Sequence, residues 1–434
     1  MTNFLFIVAD DLGYADLGCY GGRRPISPNL DALAAGGLRY VNGYSNSPVC
    51  SPTRFALMTG RYQYRVRGAS EEPLAGNARN NPALGLPPDV PTLPSMLRDI
   101  GYRTALIGKW HLGYPPHFGP LKSGYDEHFG PMSGGVSYFR HRDRAGNTDL
   151  EENGQPIDCG GQYLTDLISK RATDWVSARA GEDKPWLLSL HYTAPHWPWE
   201  TRSQGDSTPE ALENIAHLDG GNVETYQQMI LEMDEGIGAV IQGLRETGQL
   251  DNTLIVFTSD NGGERFSDNW PLVGGKMDLK EGGIRVPYIV HWPAGITARG
   301  AVSEQHCLTM DWTVTMLTQA GVAAPADHAF DGISLLANLR DPGHRIHRPM
   351  FWRMKHLSQQ AARIGDWKYL KIEEHEYLFN LANDARERAN RAKREPQRLT
   401  QLKAAYEDWA ATMPPVPLDA RVSLVYGLAD MPSR

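Results

Sequence analysis

Asn3-Phe4-Leu5-Phe6-Ile7-Val8-Ala9-Asp10-Asp11 passes directly from an apolar run to two adjacent carboxylates. The run is too short for a membrane span. It has no basic leader and no cleavage site, so it reads as a buried first strand and not as a signal peptide. Adjacent side chains of a regular strand face opposite sides. Asp10 and Asp11 can therefore reach one ion only where the strand ends and the backbone turns. That place is the carboxyl edge of a parallel sheet, where α/β proteins hold their ligands.

Three more segments repeat the arrangement. Ser259-Asp260-Asn261-Gly262-Gly263 leaves an apolar run at 253–258, and Gly108-Lys109-Trp110-His111-Leu112-Gly113 leaves one at 103–107. Pro195-His196-Trp197-Pro198 follows a third at 186–192. Short apolar runs alternating with helical patterns predict an α/β protein on a mostly parallel central sheet flanked by helices. Ser27-Pro28 is expected to cap a helix carrying Leu30, Leu33 and Ala34, and Thr92 one that runs to about Ile100. From Asn222, the residues Tyr226, Met229, Ile230, Met233, Ile237, Val240, Ile241 and Leu244 recur at helical spacing. Residues 67–88, rich in Gly, Pro, Asn and Ala, read as a long surface loop.

The 434 residues suit one large domain and a small one, divided near Arg345 into 1–345 and 346–434. Short strands at 350–353, 362–367 and 368–372, then a basic helix from Asp384 to about Met413, predict a small C-terminal antiparallel sheet with a helix. A net charge of −8 argues against a general nucleic-acid binder, and no segment suggests a membrane partner. The four cysteines, Cys19, Cys50, Cys159 and Cys307, form no Cys-x-x-Cys pair. Sparse cysteine without a leader is the pattern expected of a cytoplasmic protein. Oligomeric state has no signature here.

Ser47-Pro48-Val49-Cys50-Ser51-Pro52-Thr53-Arg54 runs on to Thr59-Gly60-Arg61. Pro52 suits the first turn of a helix ending at Gly60, whose N-terminal amides would face Cys50 and favour negative charge there. The stretch resembles the Cys-x-Pro-x-Arg signature of the sulfatase family. The segments around Asp10, Lys109, His196 and Asp260 resemble further blocks of that family, as does Gly275-Lys276 followed by Glu281-Gly282-Gly283-Ile284-Arg285-Val286-Pro287. Gly365-Asp366-Trp367-Lys368-Tyr369-Leu370 is similar to the family's C-terminal strand.

The resemblance implies an alkaline-phosphatase-like fold and a partner maturation enzyme that oxidises Cys50 to formylglycine. It implies one divalent ion held by Asp10, Asp11, Asp260, Asn261 and an oxygen on residue 50. Hard oxygen ligands favour Ca²⁺, with Mg²⁺ second. A sulfate ester is an anion, so its sulfuryl oxygens need fixed positive charge from the ion, Lys109, Lys276 and Arg54. The hydrated aldehyde attacks sulfur and displaces the alcohol, with His196 and Lys276 serving the leaving oxygen. His111 then takes a proton from the second hydroxyl, the aldehyde reforms and sulfate leaves. The implied substrate is a small-molecule or saccharide sulfate ester, aryl or carbohydrate. A phosphonate monoester or phosphodiester hydrolase using the same site is the alternative, and a silent calcium-binding protein a more distant one. Tyr114-Pro115-Pro116-His117 and Trp197-Pro198-Trp199 are candidates for an aromatic mouth, while Ser133 and His191 read as structural.

Overall fold

The computed structural model describes residues 1–143, 145–206 and 221–424. A ten-stranded sheet forms its centre. Neighbouring strands Thr253–Ser259, Asn3–Ala9, Trp186–His191, Arg103–Gly108 and Glu127–Pro131 all run parallel, with antiparallel strands beyond them on both sides. Ala9 pairs with Ser259, while Val8 and Gly108 both pair with His191. This register brings Asp10, Lys109 and Asp260 side by side at the carboxyl edge.

The first strand shows why the sheet is covered on both faces. Leu5, Ile7 and Ala9 enter one core, Phe4, Phe6 and Val8 the other. Burial of each large aliphatic side chain contributes about 1.5–3 kcal/mol. Helices Pro28–Gly36, Leu164–Ser177 and Val223–Glu246 close the first core; Cys50–Thr59, Leu93–Asp99 and Thr309–Gln319 close the second. Among the described residues no helix is long and apolar enough to cross a membrane.

The helix starts expected at Thr92 and near Asn222 are both capped. Thr92 and Ser95 make a reciprocal capping box, and the Asn222 side chain accepts from Thr225 N at 2.8 Å. Ser27 behaves differently: its hydroxyl accepts from Gly18 N and donates to Asp31. The free amides of the Pro28 helix go to Asp234 on the long helix, which accepts from Asn29 N at 2.9 Å and Leu30 N at 2.8 Å. A carboxylate 200 residues away provides the cap.

The C-terminal sheet has four antiparallel strands, Met350–Arg353, Gln360–Ile364, Trp367–Ile372 and His375–Asn380, covered by helix Pro396–Ala411. The strand expected over 362–367 stops earlier, because Gly365 at φ +56° turns the chain there. The helix expected from Asp384 begins only at Pro396. The Asp384 carboxylate binds the amides of Arg388 and Ala389 in a turn, Glu387 is left-handed at φ +52°, and Pro396 suits only a first helical turn. Residues 67–88 are not a surface loop either: Ala69, Leu74, Ala78, Leu84 and Leu86 are buried in the second core.

Asp234→Ala is expected to destabilise the protein by about 2 kcal/mol, and Asp234→Asn, which keeps an acceptor, by less. Urea unfolding midpoints of the two variants check this.

Candidate active site

The carboxyl edge gathers the residues singled out above. Asp10, Asp11, Cys50, Arg54, Lys109, His111, Asp260 and Asn261 are each no more than 2% exposed, His196 is 4% and Lys276 7%. Charges so enclosed must be paired. Arg54 Nε lies 3.0 Å from Asp260 Oδ2, and its Nη1 donates to the Lys109 carbonyl at 3.1 Å. Lys109 Nζ donates to Asp10 Oδ2, and Lys276 Nζ to Asp11 Oδ2 at 2.6 Å. Asn261 Nδ2 donates to Asp11 Oδ1 at 2.6 Å. His191 lies with Nδ1 3.4 Å from Arg54 Nη1.

Two oxygens are left over. Asp10 Oδ1 and Asn261 Oδ1 are buried and have no hydrogen-bond partner among the described residues. Asp10, Cys50 and Asp260 each offer a ligand atom within 4.8 Å of the others, and Asp10, Asp11 and His196 form a second such group. Burial, then the neighbouring Asp10 charge, raises the Asp260 carboxyl to about 7. Burial pushes Asp11 up as well, but Lys276, His196 and the Asn261 amide together offset it and hold the group at about 2. Orphaned oxygens and a strained carboxylate fit a hard divalent cation held by Asp10, Asp11, Asp260 and Asn261.

Cys50 is the first residue of helix Cys50–Thr59, after extended Val49; Pro52 lies in the first turn, and Gly60 closes the helix in the left-handed region at φ +66°. The helix amides thus favour negative charge at residue 50. Burial nonetheless pushes the Cys50 thiol up to about 11, against the pull of Lys109 and Lys276. A thiol at this position is not ionised at neutral pH, and only a thiolate is a good nucleophile.

The two histidines are held differently. His111 Nε2 donates to the Leu74 carbonyl at 2.7 Å, which leaves Nδ1 with its lone pair and no partner among the described residues. Burial, then Lys109, holds its pKa well below the usual imidazole value, so it is a neutral base. His196 Nδ1 lies 2.6 Å from the Trp197 carbonyl and carries the proton; Nε2 faces Asp11 Oδ2 at 3.6 Å. Burial, then Lys276, lowers its pKa to about 3. Asp11 at φ +64°, His111 at +60° and Met277 at +74°, next to Lys276, are all left-handed. Strain of this kind concentrates where function requires a geometry.

Cys50, His111, His196 and Lys276 line one cavity of about 480 Å³, with Tyr114 and Trp197 in its wall. Ser133, which reads as a plain loop serine, also lines it, its amide bound to Asp149 Oδ2 at 2.7 Å. The rest of the expected aromatic mouth is elsewhere: Pro115, Pro116 and His117 are exposed, and Trp199 packs on Phe266. Three features of the site have no sequence signal. The Leu74 carbonyl orients His111 through its backbone, Gly134 leaves room for the ring, and Ser423 and Leu424 complete the cavity wall.

The sequence model of the family described as Sulfatase matches residues 2–322. N-acetylgalactosamine-6-sulfatase of Homo sapiens is 34% identical over 384 residues, which span 84% of this chain and 70% of the relative. Human arylsulfatase A is 30% identical over 389 residues, 84% of this chain and 74% of that one. The solved structure of Ps i-CgsB in complex with k-i-k-neocarrahexaose superposes with a TM-score of 0.82 at 32% identity, covering 94% of this chain and 92% of the other.

A Cβ at Gly134 would meet His111 Cε1 at 2.4 Å. Gly134→Ala is therefore expected to displace the imidazole and lower kcat about 100-fold, read by steady-state kinetics and a structure of the variant.

Proposed function

Because this chain belongs to the sulfatase family, we propose that it hydrolyses sulfate monoesters of carbohydrates with residue 50 as the seat of the nucleophile. The observation that carries this reading is the convergence of Cys50, His111, His196 and Lys276 on one cavity, above the carboxylates of Asp10, Asp11 and Asp260. The carbohydrate preference draws on the relative named for N-acetylgalactosamine 6-sulfate and on the neighbour crystallised with neocarrahexaose. Names of relatives also favour sulfate over the phosphonate alternative.

Two groups complete the site in this reading. Formylglycine hydrate at residue 50 would supply one hydroxyl oxygen as nucleophile and a second hydroxyl whose deprotonation re-forms the aldehyde and expels sulfate from the first. A cation, Ca²⁺ before Mg²⁺, held by Asp10, Asp11, Asp260 and Asn261, supplies positive charge against the sulfuryl oxygens. The enclosed thiol at about 11 supports the need for conversion, since Cys50 itself would stay protonated.

The remaining work falls to side chains. Lys109 and Lys276 bring ammonium charge to the edge where the ester anion docks. His111, neutral with Nδ1 free to accept, takes the proton when the aldehyde reforms. For the departing alcohol, the Trp197 carbonyl fixes the His196 proton on Nδ1, so Nε2 can donate only from a doubly protonated ring. Lys276 already carries a proton there. Lys276 then donates to the ester oxygen, while the neutral His196, whose Nε2 can only accept, holds a donor such as a sugar hydroxyl.

Mass spectrometry of the peptide containing residue 50 should show loss of the thiol in active protein, and elemental analysis should find calcium that Asp260→Ala loses together with activity. Full activity from the thiol form, or stoichiometric zinc, would refute the assignment.

The leaving-group dependence separates the cationic and imidazole roles. Nitrophenolate needs little protonation and a sugar alkoxide much. Lys276→Ala should therefore lose more on saccharide sulfates than on nitrophenyl sulfate, by a wider ratio than His196→Ala does. His111→Ala should slow both and give a burst of alcohol before a slow steady state.

A further inference from the structure

One part of the cavity wall carries none of the chemistry. Residues 421–424 lie along the loop at Glu71 and Glu72 as a single parallel bridge pairing Val422 with Glu72. Glu72 N donates to the Arg421 carbonyl and Ser423 N to the Glu72 carbonyl, each at 2.9 Å. Arg421 N donates to Glu71 Oε2 at 3.2 Å. Upstream, Lys355 Nζ binds the carbonyls of Leu418 and Ala420, and Arg67 joins Glu71 to Asp419. Leu418, Asp419, Ala420, Arg421 and Ser423 are each tied down.

It delivers Ser423 and Leu424 to the cavity that holds Cys50 and His111, next to Leu74 and Ala75. Leu424 is half-buried and packs against the apolar cluster that includes Cys50 itself. The same loop turns the Leu74 carbonyl to His111 Nε2, so the wall and the base share one support. A volume of about 480 Å³ lies in the lower half of the range for ligand pockets, roughly 300–1,000 Å³. Such a volume accommodates a sulfated ring, with Leu424 in its wall.

We infer that Leu424, positioned with Ser423 by the bridge to Glu72, is a specificity-determining residue that gives the leaving sugar an apolar contact and restricts the site to a terminal sulfated sugar over the interior of a chain. This rests on the sulfatase reading above.

The test uses a sulfated monosaccharide and a hexasaccharide of the same sulfated sugar. Turnover is measured with converted enzyme, and equilibrium binding with Cys50→Ala protein, each with and without Leu424→Ala or Leu424→Trp. Leu424→Ala should raise the preference for hexasaccharide over monosaccharide about tenfold, and Leu424→Trp should cut monosaccharide kcat/KM about tenfold. If the Leu424 variants fold poorly, Ser423→Pro, which removes the amide bound to Glu72, should move the ratio as Leu424→Ala does. Equal shifts on both saccharides, in turnover and in binding, would overturn the inference and leave the sulfatase reading intact. A binding ratio that responds in protein without turnover on any sulfate ester would support the wall and sink the proposed reaction. No response in binding and no turnover would overturn both.

Discussion

Three carboxyl groups, those of Asp10, Asp11 and Asp260, are enclosed together at the carboxyl edge of the sheet, and everything around them answers to that charge. Burying an unpaired ion costs several kcal/mol, and removing one partner of a buried pair typically costs 3–5 kcal/mol. The compensating cations come from separate parts of the chain: Arg54 from the helix after Val49, Lys109 from a strand end, Lys276 from the loop before residue 281. None is close in sequence to the carboxylate it meets. Forming the site and closing the sheet are therefore one event, and the residual orphan oxygens of Asp10 and Asn261 leave the cluster suited to a cation.

Rigidity behind the edge has a second source in the C-terminal sheet. Glu281 is fully buried and its carboxylate receives Tyr44 Oη at 2.6 Å and Lys368 Nζ at 2.9 Å, while Glu387 Oε2 accepts the Glu281 amide at 2.7 Å. Two residues on, the Gly283 carbonyl takes the amide of Gly262, immediately after Asn261. The small sheet thus grips the segment that abuts the carboxylate cluster. Such a grip gives a physical reason why left-handed backbone at Asp11, His111 and Met277, costing about 1–3 kcal/mol each, can persist.

The charged and imidazole groups of the edge and the cavity wall are built on different principles. Lys109, His111 and His196 follow directly from strand ends whose register is set by sheet pairing. The wall is assembled from loops and the chain's last described residues, where backbone groups do the holding.

Strand ends were legible because short continuous apolar runs are local, and a charged pair after such a run has few other places to go. Thr92 and Asn222 were legible for the same reason, since a cap and its amide are three residues apart. Ser27 misled because Asp234 outcompetes it from another helix, and the Asp384 segment because one carboxylate binding two amides stabilises a turn over a basic stretch with helical composition. Residues 67–88 have loop composition yet bury Leu74 and Leu86, which only the packed second core could require. Sequence alone determined the α/β layering, the edge where chemistry sits and the identities of its charged residues, because these depend on local pattern. Tertiary structure decided which cation meets which carboxylate, which ring nitrogen of His111 is free and what bounds the pocket, because those depend on backbone carbonyls and on partners brought together only by folding.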